Sequence, residues 1–154
     1  MPPFAGKIIL ASRSPRRREL LTAAGYDFSI VHPLDADECG TCSREGPAML
    51  VARLAFEKAH DVGRQVGVGL VLGCDTVAEV DGQILGKPVN EEGARRMLQL
   101  LRGKRHRVLS GVCLWDVPLG DPQLRIAVTT LEMDAISDSQ IEEYLAGGDR
   151  KSVV

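Results

Sequence analysis

One stretch, GLVLGCDTVAEV at Gly69–Val80, constrains the fold more than any other part of this chain. It is an almost continuous apolar run of strand length, which predicts a central β-strand covered on both faces. Asp75 and Thr76 interrupt the run. A carboxylate inside a core strand is costly unless it is paired, binds a metal or lies at the mouth of the strand. Asp75 is therefore the first candidate functional residue.

A second stretch, KIILASRSPRRRELL at residues 7–21, predicts a strand, a tight loop and the start of a helix. Ser14 suits the N-cap, and Pro15 suits the first helical position. Arginines stand at positions 13, 16, 17 and 18, although the start of a helix favours acidic residues. This misfit favours a site for a multiply charged anion such as a polyphosphate, because a helix N-terminus offers N–H groups and a positive dipole end. The alternative is an ordinary strand–helix junction with solvated arginines.

Helices and strands alternate along the chain, which shows no linker, repeat or low-complexity segment. With 154 residues it is long enough for one domain with its own core. Asp81-Gly82 predicts a hairpin turn, and Ser137 with Gln140 predicts a capping box. After the first strand, the pattern predicts helices at 15–24, 47–65, 90–103 and 137–147, and strands at 26–31, 69–80, 83–85, 104–115 and 124–133.

Two lysines are candidates for the same anion. Lys58 falls on the apolar stripe of the second helix, seven residues after Val51, so it either extends to the helix edge or meets an anion. Extension to the edge is the commoner explanation, and a nearby phosphate site would favour the anion. Lys87 precedes a proline, which favours an extended backbone, and the predicted hairpin brings it back past Asp75.

The loop after the second strand carries Asp35, Asp37 and Glu38, which could hold a divalent cation. On the sequence alone, an acidic surface loop is the favoured alternative. Cys39 and Cys42 form a lone C-x-x-C with no second pair, so we interpret them as incidental rather than as a zinc or redox site.

Composition excludes several classes of function. The net charge is −2 and the pI is about 5.9, which argues against binding to duplex DNA or to an anionic membrane. No apolar run approaches the length of a membrane span, and the first residues lack the pattern of a signal peptide. Four cysteines without a disulfide-framework spacing indicate a reducing compartment, so we expect a cytoplasmic protein.

Four blocks occur in the order and spacing of the Maf family: LASRSPRRRELL, RLAFEKA, VLGCDTVAEVDGQILGKP and EGARRMLQLLRGKRHRVLSGVCL. The chain thus resembles nucleoside triphosphate pyrophosphatases with the inosine-triphosphatase-like fold. The resemblance implies one α/β (mixed α+β) domain over 1–154, with a central mixed sheet flanked by helices and an active-site cleft. Members of the family continue past the fourth helix with D-K-A-G and I-Q-G blocks, so we expect this chain to be C-terminally incomplete relative to the family.

The resemblance also implies roles for particular residues. Asp75 matches the general base, and Arg16 and Thr76 match positions linked to the choice of nucleotide. Glu38 and Asp75 match the residues expected to hold a divalent metal cation, Mg²⁺ or Mn²⁺. The residues expected to bind substrate are Ser12, Ser14, Arg16, Arg17, Lys58, Thr76 and Lys87.

The implied reaction is hydrolysis of dTTP or UTP to the monophosphate and pyrophosphate. The S-P-R-R and D-T blocks resemble the subgroup with that preference, whereas a subgroup acting on 7-methyl-GTP tends to carry a bulky aromatic in place of Arg16 and a glutamine in place of Thr76. A catalytically weak nucleotide-binding regulator linked to septum formation and cell division is the alternative of a different class. The resemblance suggests a homodimer, and we expect neither nucleic acid nor membrane as a partner.

Overall fold

The structure, a computed structural model, describes residues 6–34 and 44–147. Within these ranges, strands and helices follow one another in the predicted order. The elements are β1 (Ile8–Ala11), α1 (Pro15–Ala23), β2 (Phe28–Val31), α2 (Pro47–Val66), β3 (Gly69–Val80), β4 (Gln83–Leu85), α3 (Glu91–Leu101), β5 (Arg105–Val117), β6 (Gln123–Glu132) and α4 (Asp138–Ala146).

The described strands form one mixed sheet in the order β2-β1-β3-β5-β6, and β4 also pairs with β3. Strand β1 runs parallel to β2 and β3, whereas β5 runs antiparallel to β3 and β6. Strand β3 is therefore the centre of the sheet. The predicted α/β class, with a central mixed sheet flanked by helices, is confirmed.

Helix α2 covers one face of this sheet at close range, because glycines allow the approach. A Cβ on Gly73 would lie 2.2 Å from the carbonyl oxygen of Ala55, and a Cβ on Gly111 would lie 2.1 Å from that of Val51. No side chain could occupy either position without moving the helix. The predicted apolar stripe of this helix, which is Val51, Leu54, Ala55 and Val62, is buried.

The opposite face of β3 is covered along only part of its length. Ala78 and Val80 are buried in a cluster with Leu101 of α3. Earlier in the strand the side chains on this face are half-buried, and α1 contributes no buried residue. Within the described residues, the predicted cover on both faces is therefore confirmed for the second half of this face and incomplete for the first half. The half-buried residues are Leu70, Leu72, Cys74 and Thr76.

The predicted hairpin turn and the predicted capping box are confirmed. Asp81 and Gly82 have φ angles of 50° and 76°, the positive φ values that both central residues of a two-residue hairpin turn adopt. The Asn90 side chain accepts from the N–H of Gly93 at the start of α3. Ser137 and Gln140 form both bonds of the capping box of α4.

Strand β6 lies at an edge of the described sheet, and all ten of its residues are exposed. Its register with β5 sets Leu124, Ile126 and Val128 on the same side as α2. These three side chains form an exposed apolar strip. None of the helices within the described ranges is both long and apolar enough to cross a bilayer.

Candidate active site

A gap in the pairing of β3 marks the candidate site. Strand β1 pairs with β3 as far as Gly73, and β4 joins the same edge only at Ala78. Strand β5 occupies the whole of the other edge. Among the described strands, residues 74–77 thus have no neighbour on the β1 side, and Asp75 and Thr76 lie in this opening. The loop that leads from β1 into α1 begins beside it.

Asp75 is held by Lys58 in a buried ion pair. The Lys58 Nζ donates to Asp75 Oδ1 at 2.5 Å, and the two side chains are only 12% and 10% exposed. Because α2 packs closely against Gly73, the lysine lies within reach of the strand. The alternative in which Lys58 extends to the edge of the helix is therefore wrong. The anion that it meets is the carboxylate of Asp75, which was itself predicted to need a partner.

Arg17 links the loop after β1 to β3 on the opposite face. Its Nη2 donates to Thr76 Oγ1 at 3.4 Å, and its Nη1 donates to Ser12 Oγ at 3.5 Å. Ser12 is 3% exposed, and its hydroxyl also accepts the backbone N–H of Ser14 at 3.0 Å. Arg17 thus joins the two sequence blocks, S-x-S-P-R-R and D-T, that lie far apart in the chain.

The predicted residues fall into two groups because Asp75 and Thr76 are neighbours in a strand. Successive side chains of a strand point to opposite faces. The Asp75–Lys58 pair therefore lies on the α2 side, whereas Thr76 and Arg17 lie on the other. The two groups meet at the unpaired edge of β3, where a bound molecule can contact both.

Ser110 is a site residue that the sequence reasoning missed. It lies directly opposite Thr76 in the register of β3 and β5, and the two hydroxyls are 2.8 Å apart. The sequence shows a serine before Gly111 but gives no register between the two strands. We call Ser12, Arg17, Thr76 and Ser110 the Arg17 cluster.

The pKa of the Cys74 thiol depends on the charges around the opening. Burial is the main cause that raises the pKa of its thiol, and Asp75 raises it further. Arg17 and Lys58 act in the opposite direction on the same pKa. The pKa of this thiol therefore responds to the cations of both groups.

Three other predicted residues lie at the rim. Arg16 and Lys87 are exposed, and both make contacts. Lys87 follows Leu85, which pairs with Ala78, so the same register would bring it level with Thr76. Ser14 occupies the N-cap of α1 with an extended backbone, but within the described helix its hydroxyl accepts no capping N–H.

The predicted acidic loop cannot be compared with the structure. Glu38 lies outside the described residues, as do Asp35, Asp37, Cys39 and Cys42. Within the described ranges, no group of three or more His, Cys, Asp and Glu side chains could hold a metal ion. Asp75 supplies a single carboxylate, which fits Mg²⁺ or Mn²⁺ bound jointly with a polyphosphate rather than a site built from protein ligands alone.

Comparison with known proteins identifies the family. Residues 7–153 match the model of the family described as Maf-like protein. The chain belongs to this family. A dTTP/UTP pyrophosphatase of Rhodopirellula baltica is 48% identical over 143 residues, which are 93% of this chain and 63% of that protein. A dTTP/UTP pyrophosphatase of Dictyoglomus thermophilum is 38% identical over 143 residues, again 93% of this chain and 74% of that protein. The chain thus spans less than two thirds of the length of the first of these relatives.

A solved structure agrees with the fold. The Ham1 protein of Staphylococcus aureus superposes with a TM-score of 0.57, with 84% of this chain and 73% of that chain covered. The sequence identity is 14%, so the likeness concerns the fold alone. The predicted inosine-triphosphatase-like fold is confirmed.

Proposed function

We propose that this chain hydrolyses nucleoside triphosphates between the α and β phosphates and releases a monophosphate and pyrophosphate. The observation that carries the proposal is the buried Asp75–Lys58 pair in the opening of β3, with the Arg17 cluster on the other side of the same strand. One carboxylate flanked by cations suits a substrate with several negative charges. Relatives named as dTTP/UTP pyrophosphatases support dTTP and UTP as the substrates.

Asp75 takes the part of the general base. Lys58 engages Oδ1, and the carboxylate's second oxygen orients and deprotonates the attacking water. The lysine fixes the carboxylate by its hydrogen bond and keeps it from turning away. The charge that develops in the reaction stays on phosphate oxygens, so positioning and electrostatic stabilisation supply most of the catalysis.

Arginine and lysine side chains bind the phosphates. Arg17 donates to Ser12 and Thr76 and also hydrogen-bonds to the Cys74 thiol, and we expect its remaining N–H donors to bind the triphosphate. Lys87 approaches from the β4 side, and Arg16 lies on the first turn of α1. The N-terminus of α1 adds a positive dipole end. Ser12 and Ser14 shape the loop through the bond between them.

A divalent cation fits the same arrangement. Asp75 and Glu38 would hold Mg²⁺ or Mn²⁺ together with phosphate oxygens. When bound, such a cation neutralises phosphate charge and orients the triphosphate. The protein residues still position the water and the leaving group.

Arg16 and Thr76 are the residues that we propose to select the base. Their side chains stand at the rim and on the inner wall of the opening. An arginine and a small hydroxyl at these positions suit a pyrimidine with carbonyl acceptors, as in UTP and dTTP. We further propose a cytoplasmic protein that acts as a homodimer.

The test is a panel of nucleotides. Purified chain is incubated with dTTP, UTP, CTP or 7-methyl-GTP and Mg²⁺, and both pyrophosphate and orthophosphate are measured. We expect pyrophosphate without orthophosphate, with dTTP and UTP turned over fastest. Release of orthophosphate would contradict cleavage between the α and β phosphates. Binding of dTTP without any turnover would instead support the nucleotide-binding regulator.

A further inference from the structure

The role of Ser110 in the Arg17 cluster follows from its hydrogen bond to Thr76. A guanidinium can only donate, so Thr76 Oγ1 accepts from Arg17. The Thr76 hydroxyl also bonds to Ser110 Oγ, which lies 2.8 Å away, and either hydroxyl can donate in this bond. In both cases one lone pair of Thr76 Oγ1 remains for the guanidinium of Arg17.

Ser110 decides which way the Thr76 hydroxyl points. Without a hydroxyl at position 110, the Thr76 hydroxyl can rotate and turn its proton toward the guanidinium of Arg17, which can only donate. With Ser110 in place, a Thr76 lone pair stays directed at the guanidinium. The bonds from Arg17 to Thr76 and Ser12 are long, at 3.4 and 3.5 Å. Arg17 is therefore weakly held and sensitive to the orientation of these acceptors.

The position of Ser110 separates its effect on Thr76 from the packing of α2. It lies on β5, opposite Thr76, and its hydroxyl reaches Arg17 only through Thr76. The next residue, Gly111, faces α2 and belongs to the packing of that helix. A substitution that removes only the oxygen of Ser110 therefore leaves the contact between helix and sheet in place.

We propose that Ser110 is a positioning residue that, through Thr76, holds the Arg17 guanidinium ready for the phosphate chain of the substrate. This role rests on the proposed nucleotide site. It assigns a function in substrate binding to a strand, β5, that supplies none of the predicted site residues.

The test compares Ser110→Ala with Ser110→Thr, which keeps the hydroxyl. The full chain is titrated with inorganic tripolyphosphate and with dTTP in Mg²⁺ by calorimetry, and KM and kcat are measured for dTTP. We expect Ser110→Ala to raise both Kd values and KM about three- to tenfold, the loss of one hydrogen bond, with kcat nearly unchanged. Ser110→Thr should restore wild-type values. Ser29→Ala, the same change in a half-buried position of β2, serves as the control.

A double-mutant cycle separates positioning from packing. Because the effect passes through the Thr76 hydroxyl, Ser110→Ala should change Kd less than about 1.5-fold in a Thr76→Val background. A Ser110→Ala protein with a lower Tm but wild-type Kd and KM would overturn the proposal. So would equal effects of Ser110→Ala in both backgrounds, or an effect on dTTP that is absent with tripolyphosphate. A wild-type chain that binds neither ligand would overturn the proposed function and, with it, this role.

Discussion

At the scale of single residues, the site depends on two neighbours in one strand. Asp75 faces α2 and pairs with Lys58, whereas Thr76 faces the other side and accepts from Arg17. One strand thus presents the proposed general base, Asp75, and the hydroxyl that accepts from Arg17 to the same opening. The arrangement is costly, because the Asp75–Lys58 pair is nearly dehydrated, and charges in such a place need each other.

Substitution of Lys58 tests what this pair contributes. Lys58→Met keeps the apolar length of the side chain but leaves the Asp75 carboxylate buried without its partner. We expect the free energy of unfolding to fall by about 1 to 3 kcal/mol, and turnover of dTTP to fall at temperatures where the protein stays folded. Urea unfolding and a pyrophosphate assay measure the two effects.

The control is Arg64→Met, which removes an exposed cation from the same helix and should change neither quantity. The double variant Lys58→Met with Asp75→Leu should regain stability, because no unpaired charge remains, but should stay inactive. If Lys58→Met were as stable and as active as the wild type, the pair would have no role in the site.

At the scale of elements, the position of α2 sets the distance between Lys58 and Asp75. Gly73 and Gly111 let the helix backbone approach the sheet more closely than any side chain would allow. The two glycines thus shape the proposed site through the position of α2. Local periodicity predicts the helix and its apolar stripe, but it does not show how closely the helix approaches the sheet.

Gly111→Ala should therefore impair both stability and activity. The added Cβ would lie 2.1 Å from the Val51 carbonyl oxygen, so α2 must move away from the sheet and carry Lys58 away from Asp75. We expect a loss of about 3 kcal/mol in the free energy of unfolding, the upper end for overpacking, and weaker turnover below the unfolding transition. Gly86→Ala adds a methyl group where no atom lies within 4 Å and is the matched control. Equal stability of Gly111→Ala and Gly86→Ala would contradict the close packing of α2 against the sheet.

At the scale of the whole molecule, the sequence predicts elements better than their contacts. The predicted second helix ends at residue 65 and α2 ends at Val66, while the predicted fifth strand ends at 115 and β5 ends at Val117. Hydrophobic periodicity and capping residues are local signals, so a single sequence is enough to predict helices and strands from them. The bond between Thr76 and Ser110 depends on strand register, and the partner of Lys58 depends on helix packing. Neither contact can be predicted from the sequence of one segment alone.

The half-buried part of β3 and the exposed apolar strip on β6 could not be predicted from local sequence patterns either. An apolar run predicts burial, but whether another element covers it depends on the rest of the fold. In the described residues, β6 has a neighbour on one edge only, and Leu124, Ile126 and Val128 remain exposed. The described sheet thus carries apolar surface of the kind that proteins normally cover.

The most direct measurement of the central claim is pyrophosphate release from dTTP by Asp75→Asn. The substitution removes the proposed base but keeps its size, and circular dichroism must show a folded protein at the assay temperature because the Lys58 pair is weakened. Asp81→Asn, in the exposed turn after the same strand, is the matched control. We predict that the wild type and Asp81→Asn release pyrophosphate at similar rates, while folded Asp75→Asn is slower by at least about 100-fold. Turnover by folded Asp75→Asn at the wild-type rate would contradict the account.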